Sequence, residues 1–194
     1  STRSPWVHPG RARTPMTITD AITDAVEQGR PLAALTVTEG GIYRRFGFGP
    51  ATFKTDIEVD VTRRFAFDEF TPFGRFVQIE PSDLGEIPDQ LFDRWHAEHR
   101  GSLSRNAGYA PVNRGEWNWD EQGPEPRMRA VVHLDDDGQP HGYVLYVHGG
   151  WGTDHTVKVR DLLSLTPEGH LSLWVFLSGI DLTDKVIKSL SDAK

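Results

Sequence analysis

The sequence predicts an α/β (α+β) protein in which a mixed, largely antiparallel sheet is flanked by helices, and three observations carry that prediction. Two apolar runs, residues 129–134 and 142–147, are separated by the turn sequence DDDGQP, as in a β-hairpin. Thr166-Pro167-Glu168 places an N-cap residue and a proline ahead of Leu171, Trp174, Val175 and Leu177, the start signal of a helix. Across residues 76–194 the patterns then follow the order strand, helix, loop, two hairpin strands, strand, helix, which fits helices packed on a mostly antiparallel sheet.

The elements are justified in chain order as follows. Residues 1–15 are rich in Pro, Arg and Gly, and Pro9 biases His8 toward an extended backbone. A helix is predicted over residues 15–28, with Thr14 as N-cap and Pro15 at the first helical position. Ile18, Ala21, Ile22, Ala25 and Val26 form its apolar face. Gly29 and Pro31 end it. The run LAALTV at residues 32–37 reads as a strand buried on both faces. Phe53, Ile57, Val59 and Val61 alternate with polar residues, as in a strand with one buried face. Residues 68–74 read as a linker, and 76–79 as a short strand. Residues 81–83 then introduce a helix interrupted near Pro88, and 101–127 are irregular. A third strand at 156–165 follows the hairpin. After the helix opened by Thr166, a last helix is predicted over residues 182–190.

Composition bounds the function. With 194 residues the chain forms one large domain or two small ones, and 37% hydrophobic with 25% charged residues is a globular balance. The net charge of −7 argues against a nucleic-acid surface. Residues 1–75 hold ten Lys/Arg against nine Asp/Glu, whereas 76–194 hold eleven against nineteen, an asymmetry that suggests two units. There is no cysteine, which removes disulfides, thiolate metal sites and thiol nucleophiles and fits a cytoplasmic location. No apolar run reaches the roughly 18 residues of a membrane span. The start has neither a signal-peptide pattern nor an initiator Met, so an internal or processed piece is expected.

Residues 36–52, TVTEGGIYRRFGFGPAT, concentrate the special residues of the chain. This run closely resembles the signature A-S-E-G-x-I-Y-x-R-F-G-Y-G-x-A of the Eis (enhanced intracellular survival) group of GNAT-fold N-acetyltransferases. So do G-x-P-L-A-A-L at residues 29–35, D-x-D-G-x-x-x-G-Y at 135–143, L-x-x-x-T-P-E at 162–168 and L-W-x-F-L-x-x-I-D within 171–181. The resemblance covers nearly the whole chain and implies two tandem GNAT-like units. Residues 1–75 would be the C-terminal half of the first, catalytic domain, and 76–194 a second, non-catalytic GNAT-like domain.

The resemblance also implies chemistry. Such enzymes move an acetyl group from acetyl-CoA to an amine, including polyamine- and aminoglycoside-like substrates. They use no metal, nucleic acid or membrane, and assemble as homo-oligomers, hexamers in the known cases. The leaving CoA thiolate is a modest base that a nearby phenol can protonate, and Tyr43 matches the tyrosine with that role. Thr38 and Glu39 match the pair lying along the cofactor. Backbone N–H groups at a helix start bind pyrophosphate. Val7, Arg11, Ala12, Arg13 and Thr14 occupy the matching stretch, reading R-A-R-T-P where the family has several arginines and a glycine. The family's general base is the carboxylate at the end of its terminal domain, and no residue here takes that part. The departure in the basic loop supports an alternative: a catalytically incompetent GNAT-like binding or scaffold module.

Other candidates read as structural. His96 and His99 have a metal-compatible spacing but no third ligand in view. Asp135, Asp136 and Asp137 read as a hairpin turn rather than a calcium loop. Arg44 and Arg45 read as surface or inter-subunit charges, and Trp117, Trp119, Trp151 and Trp174 as core or interface anchors.

Overall fold

A computed structural model describes residues 17–35, 40–51, 53–62, 65–118, 122–149 and 155–192. They fall into two compact units that divide between Phe53 and Lys54.

In the first unit, helix α1 spans Ile18–Glu27. It starts three residues later than the sequence predicts, because Thr17 and Asp20 form a capping box. The Thr17 side chain accepts from the Asp20 N–H, and the Asp20 carboxylate accepts from the Thr17 N–H at 2.9 Å. This reciprocal pair satisfies two N–H groups at the first turn of the helix. Residues 32–35 are not a strand, contrary to expectation. Leu32 is 87% exposed, and none of the described strands pairs with them. An apolar run becomes a strand only when a neighbour takes its backbone hydrogen bonds. A 3₁₀ helix then covers Gly40–Phe46.

The second unit is built on a six-stranded sheet. Strands β1 (Phe53–Asp60), β2 (Arg75–Ile79), β3 (Met128–Leu134), β4 (Pro140–His148), β5 (Thr156–Ser164) and β6 (Lys185–Asp192) lie in the order β1-β6-β5-β4-β3-β2. Strands β2 to β5 pair antiparallel, and β5 and β6 pair parallel. A parallel pair needs a crossover, here helix α4 (Pro167–Ser178). Thr166 caps it as the sequence predicts, accepting from the Gly169 N–H at 3.2 Å.

Strand β6 replaces the last helix predicted from the sequence. Its pairing explains the difference. Val186 is fully buried in register with Val157, and Ile187 pairs with Lys158. The open edge of β5 offers these β-branched residues a ladder, and tertiary pairing overrides a weak local helical pattern. Pro88 likewise does not interrupt a helix. A short 3₁₀ turn, Pro81–Leu84, precedes helix α2 (Ile87–Glu98), and Pro88 sits in the first turn of α2, where a missing N–H costs nothing. Helix α3 (Tyr109–Asn113) lies within the stretch expected to be irregular.

Both faces of the sheet are covered. On one, Leu173, Trp174 and Leu177 of α4 pack on Val131, Val144, Val157 and Val186. On the other, Leu91 and Phe92 of α2 pack on Ala130, Val132, Tyr143 and Leu145. Neighbouring residues of β3 and β4 thus feed opposite layers, which explains their uninterrupted apolar runs. Each fully buried leucine contributes about 1.5–3 kcal/mol. Between β4 and β5 the register shifts: Leu145 pairs with Asp161 and Tyr146 with Val159, so Arg160 is an extra, bulged residue.

Candidate functional site

Tyr43 sits midway along the 3₁₀ helix Gly40–Phe46 and is half-buried. The turn holds it from below. The Phe48 N–H donates to the Tyr43 carbonyl at 3.3 Å, and the two rings meet edge-on with centroids 6.4 Å apart. Gly47, at φ +86°, reverses the chain as side-chain-bearing residues rarely do, and its N–H donates to the Arg44 carbonyl. Arg44 and Arg45 occupy the last turn, where positive charge complements the helix carbonyls, and the Arg45 guanidinium lies 4.9 Å from the Phe46 ring centre. These contacts fix the tyrosine backbone and the rim of its ring. Its hydroxyl has no hydrogen-bond partner among the described residues. Val7, Arg11, Ala12, Arg13, Thr14, Thr38 and Glu39 lie outside the described residues.

The second unit holds a polar constellation that the sequence did not reveal. On the α2 face of the sheet, the Tyr143 hydroxyl donates to Asp161 Oδ2. Arg105, from the loop after α2, donates to the Tyr143 oxygen at 2.6 Å and to the same Asp161 oxygen at 2.7 Å. Phe92 covers the guanidinium at 4.4 Å and Tyr109 at 5.3 Å. Burial, reinforced by the Asp161 carboxylate, pushes the Tyr143 phenol well above its ordinary value. Burial draws Arg105 down, but Asp161 and Tyr143 together outweigh it and leave the guanidinium raised and charged. The three groups satisfy one another and fasten the 101–108 loop to the sheet. Strand β5 reads T-V-K-V-R-D-L-L-S, so Asp161 is one of three charges in the strand and did not stand out, and nothing around Arg105 in the sequence pointed to it.

The start of α4 is closed by side chains. Thr166 Oγ1 lies 3.0 Å from His141 Nε2. A Cβ placed on Gly169 would stand 2.3 Å from Ser164 Oγ and 2.8 Å from His141 Cδ2. A helix start packed this tightly leaves no room beside Gly169 for a phosphate. The linker before β2 is pinned to the same region. His133 Nε2 donates to the Phe73 carbonyl at 2.9 Å, and Gly74 approaches the Leu134 carbonyl so closely that a Cβ would stand 2.1 Å from it.

The other candidates have structural contacts. His96 stacks on Phe92 and reaches Ser102 Oγ, while His99 stacks on Trp95 and bonds its carbonyl at 2.6 Å. Asp135 accepts from the Gln139 N–H within the hairpin turn, and Asp136 from the Gly74 N–H. Trp174 is buried in the α4 layer.

Comparison with known proteins accounts for this arrangement. Residues 110–193 match the acetyltransferase (GNAT) domain family. An uncharacterised N-acetyltransferase of Streptomyces coelicolor is 30% identical over 170 residues, covering 85% of this chain and 41% of that protein. N-acetyltransferase Eis of Mycobacterium tuberculosis H37Ra is 30% identical over 178 residues, covering 82% of this chain and 39% of Eis. The fold also matches the crystal structure of Eis1 from Mycobacterium abscessus, with a TM-score of 0.65 at 24% identity over 88% of this chain and 42% of that one. The chain therefore spans about two-fifths of the length of the curated relatives it matches. Residues 110–193 thus carry the match to the GNAT acetyltransferase domain, and along its span the chain is similar to Eis in sequence and shares the fold of Eis1.

Proposed function

We propose that this chain is part of an acetyl-CoA-dependent N-acetyltransferase acting on amines of the polyamine or aminoglycoside kind. One observation carries the reading: Tyr43 is held by its backbone and ring on a 3₁₀ turn, within the run that matches the Eis signature, with its hydroxyl unengaged among the described residues. In the reaction the amine nitrogen attacks the thioester carbonyl carbon. The C–N bond forms, the C–S bond breaks, the CoA thiolate takes the phenolic proton of Tyr43, and the proton shed by the amine nitrogen passes to solvent, from which the phenolate is reprotonated. The pyrophosphate would rest on the stretch of Arg11, Ala12, Arg13 and Thr14, with Val7, Thr38 and Glu39 along the rest of the cofactor. The surplus of acidic residues in 76–194 suits cationic substrates. In this reading residues 1–75 come from the catalytic domain, 76–194 form a non-catalytic GNAT-like domain, and the protein works in the cytoplasm as a homo-oligomer.

A second reading has its own support. In the unit from Lys54 onward, Ser164 and His141 fill the space at the start of α4, and Arg105, Tyr143 and Asp161 satisfy one another. Both features fit the non-catalytic role that either reading gives this unit, and the R-A-R-T-P departure in the basic loop extends the scaffold reading to the whole chain. Calorimetric titration of the chain with acetyl-CoA separates the two. Saturable heat, together with acetyl transfer to a polyamine by the intact protein, supports the enzyme. No heat and no transfer favours the scaffold.

A further inference from the structure

Helix α4 has 12 residues and β4 has nine. At about 1.5 Å per helical and 3.3 Å per strand residue, the helix covers only part of the sheet face beneath it. Where it ends, at one corner of the sheet, an open cleft of about 450 Å³ remains. That volume lies within the roughly 300–1,000 Å³ of small-molecule sites.

The pleat determines what lines it. Residues two apart on a strand share a face. Phe76, Val131 and Val144 point into the α4 layer, so Gln78, Arg129, Tyr146 and His148 project from the same side at this corner. The far wall is Ile180, Asp181 and Leu182, from the loop that leaves α4. His148 Nε2 donates to the Leu182 carbonyl at 3.2 Å, and Leu182 adopts a left-handed φ of +56°, an unfavourable conformation for a leucine.

Three polar groups are left to the cleft. Tyr146 is 5% exposed, yet its hydroxyl has no hydrogen-bond partner among the described residues. The ring is enclosed but the hydroxyl itself keeps access to the cleft, where a ligand can supply its hydrogen bond. Arg129 donates to the Pro126 and Met128 carbonyls but forms no ion pair among the described residues. It stands close enough to Tyr146 to oppose the effect of burial on the phenol. Asp181 is exposed and likewise has no ion pair. Two opposite charges thus line one small cleft without neutralising each other, beside an apolar wall.

We propose that this cleft binds a small zwitterion, an α-amino acid with an apolar side chain. Arg129 and Tyr146 hold its carboxylate, Asp181 holds its ammonium, and Ile180 and Leu182 receive its side chain. The site lies within the unit from Lys54 onward and does not depend on the acetyl-transfer reading.

The test is an NMR titration of the ¹⁵N-labelled chain with L-leucine and with its two halves, isovalerate and isoamylamine. Leucine is expected to give saturable shifts centred on Arg129, Tyr146 and residues 180–182, with each half binding at least about tenfold more weakly. A charge-assisted hydrogen bond of 1.5–3 kcal/mol corresponds to about that factor or more. Arg129→Gln and Asp181→Asn, both at exposed positions, should each weaken leucine by a similar factor while the unfolding temperature stays put. Tyr146→Phe, which removes only the hydroxyl, should weaken leucine and isovalerate but leave isoamylamine alone. The absence of saturable leucine shifts, isovalerate binding as tightly as leucine, or variants that bind leucine normally would each overturn the proposal.

Discussion

The two units of the chain use their apolar residues in opposite ways. From Lys54 onward they form two layers, one on each face of a six-stranded sheet, with Ala130, Val131, Val144, Tyr143, Leu173 and Leu177 essentially inaccessible. Before it, α1 has a clean apolar stripe but buries no residue, and Val26 and Leu32 are 70% and 87% exposed. The stripe of α1 sits on a helix held by its own capping box, whereas α4 is held by what it packs on. Local signals suffice to form a helix or a turn, as at Thr17 and Gly47. Only long-range pairing converts an apolar run into a buried strand.

The largest expected effect tests the packed unit. Arg105→Ala leaves Asp161 partly buried without its cation and removes the guanidinium from between Phe92 and Tyr109. Breaking such a pair costs about 3–5 kcal/mol, which urea unfolding of the sheet unit will measure. A double variant, Arg105→Met with Asp161→Leu, should recover much of that loss, because a matched apolar replacement leaves no orphan charge. Leu177→Ala, in the α4 layer, should cost about 2–5 kcal/mol. Leu32→Ala should stay within about 0.5 kcal/mol. An equal cost at the two leucines would erase the contrast between the units.

The smallest effect is on pH dependence. Burial lowers His141 below its ordinary value of 6.5, helped by His133, and burial lowers His170, helped by Lys188. The folded state therefore keeps these rings neutral in a window where the unfolded chain has protonated them. Their contribution is complete above pH 6.5 and is lost as pH falls from there through the lowered folded values. Unfolding midpoints between pH 7.5 and 5 should drop accordingly. His141→Gln and His170→Gln should each flatten the slope, and an unchanged slope in both would contradict this account.

Much of the sheet unit was legible because its signals are local. The turn DDDG fixes the β3–β4 hairpin, Thr166-Pro167 fixes the start of α4, and alternation at Ile57, Val59 and Val61 fixes β1. Strand β6 was not legible, because its conformation is decided by the edge of β5 rather than by its own residues. The start of α1 was misplaced because two capping threonines three residues apart, Thr14 and Thr17, compete, and only Thr17 has an aspartate three positions on. Tyr43 was singled out by the motif around it, and its role at the site is the proposal made above. The Arg105–Tyr143–Asp161 group and the cleft at Arg129 and Tyr146 were not legible. Each joins residues far apart in sequence, and pattern reading does not reach such pairs.

The central claim is that Tyr43 supplies a proton during acetyl transfer rather than holding up the fold. The most direct measurement pairs turnover with stability for Tyr43→Phe in the intact protein, with acetyl-CoA and a polyamine as substrates. The phenol has no hydrogen-bond partner among the described residues, so its loss should leave the unfolding temperature unchanged while kcat falls by about 10²–10⁴-fold, the range for a general acid. A Tyr43→Phe protein that turns over at the normal rate would contradict the account.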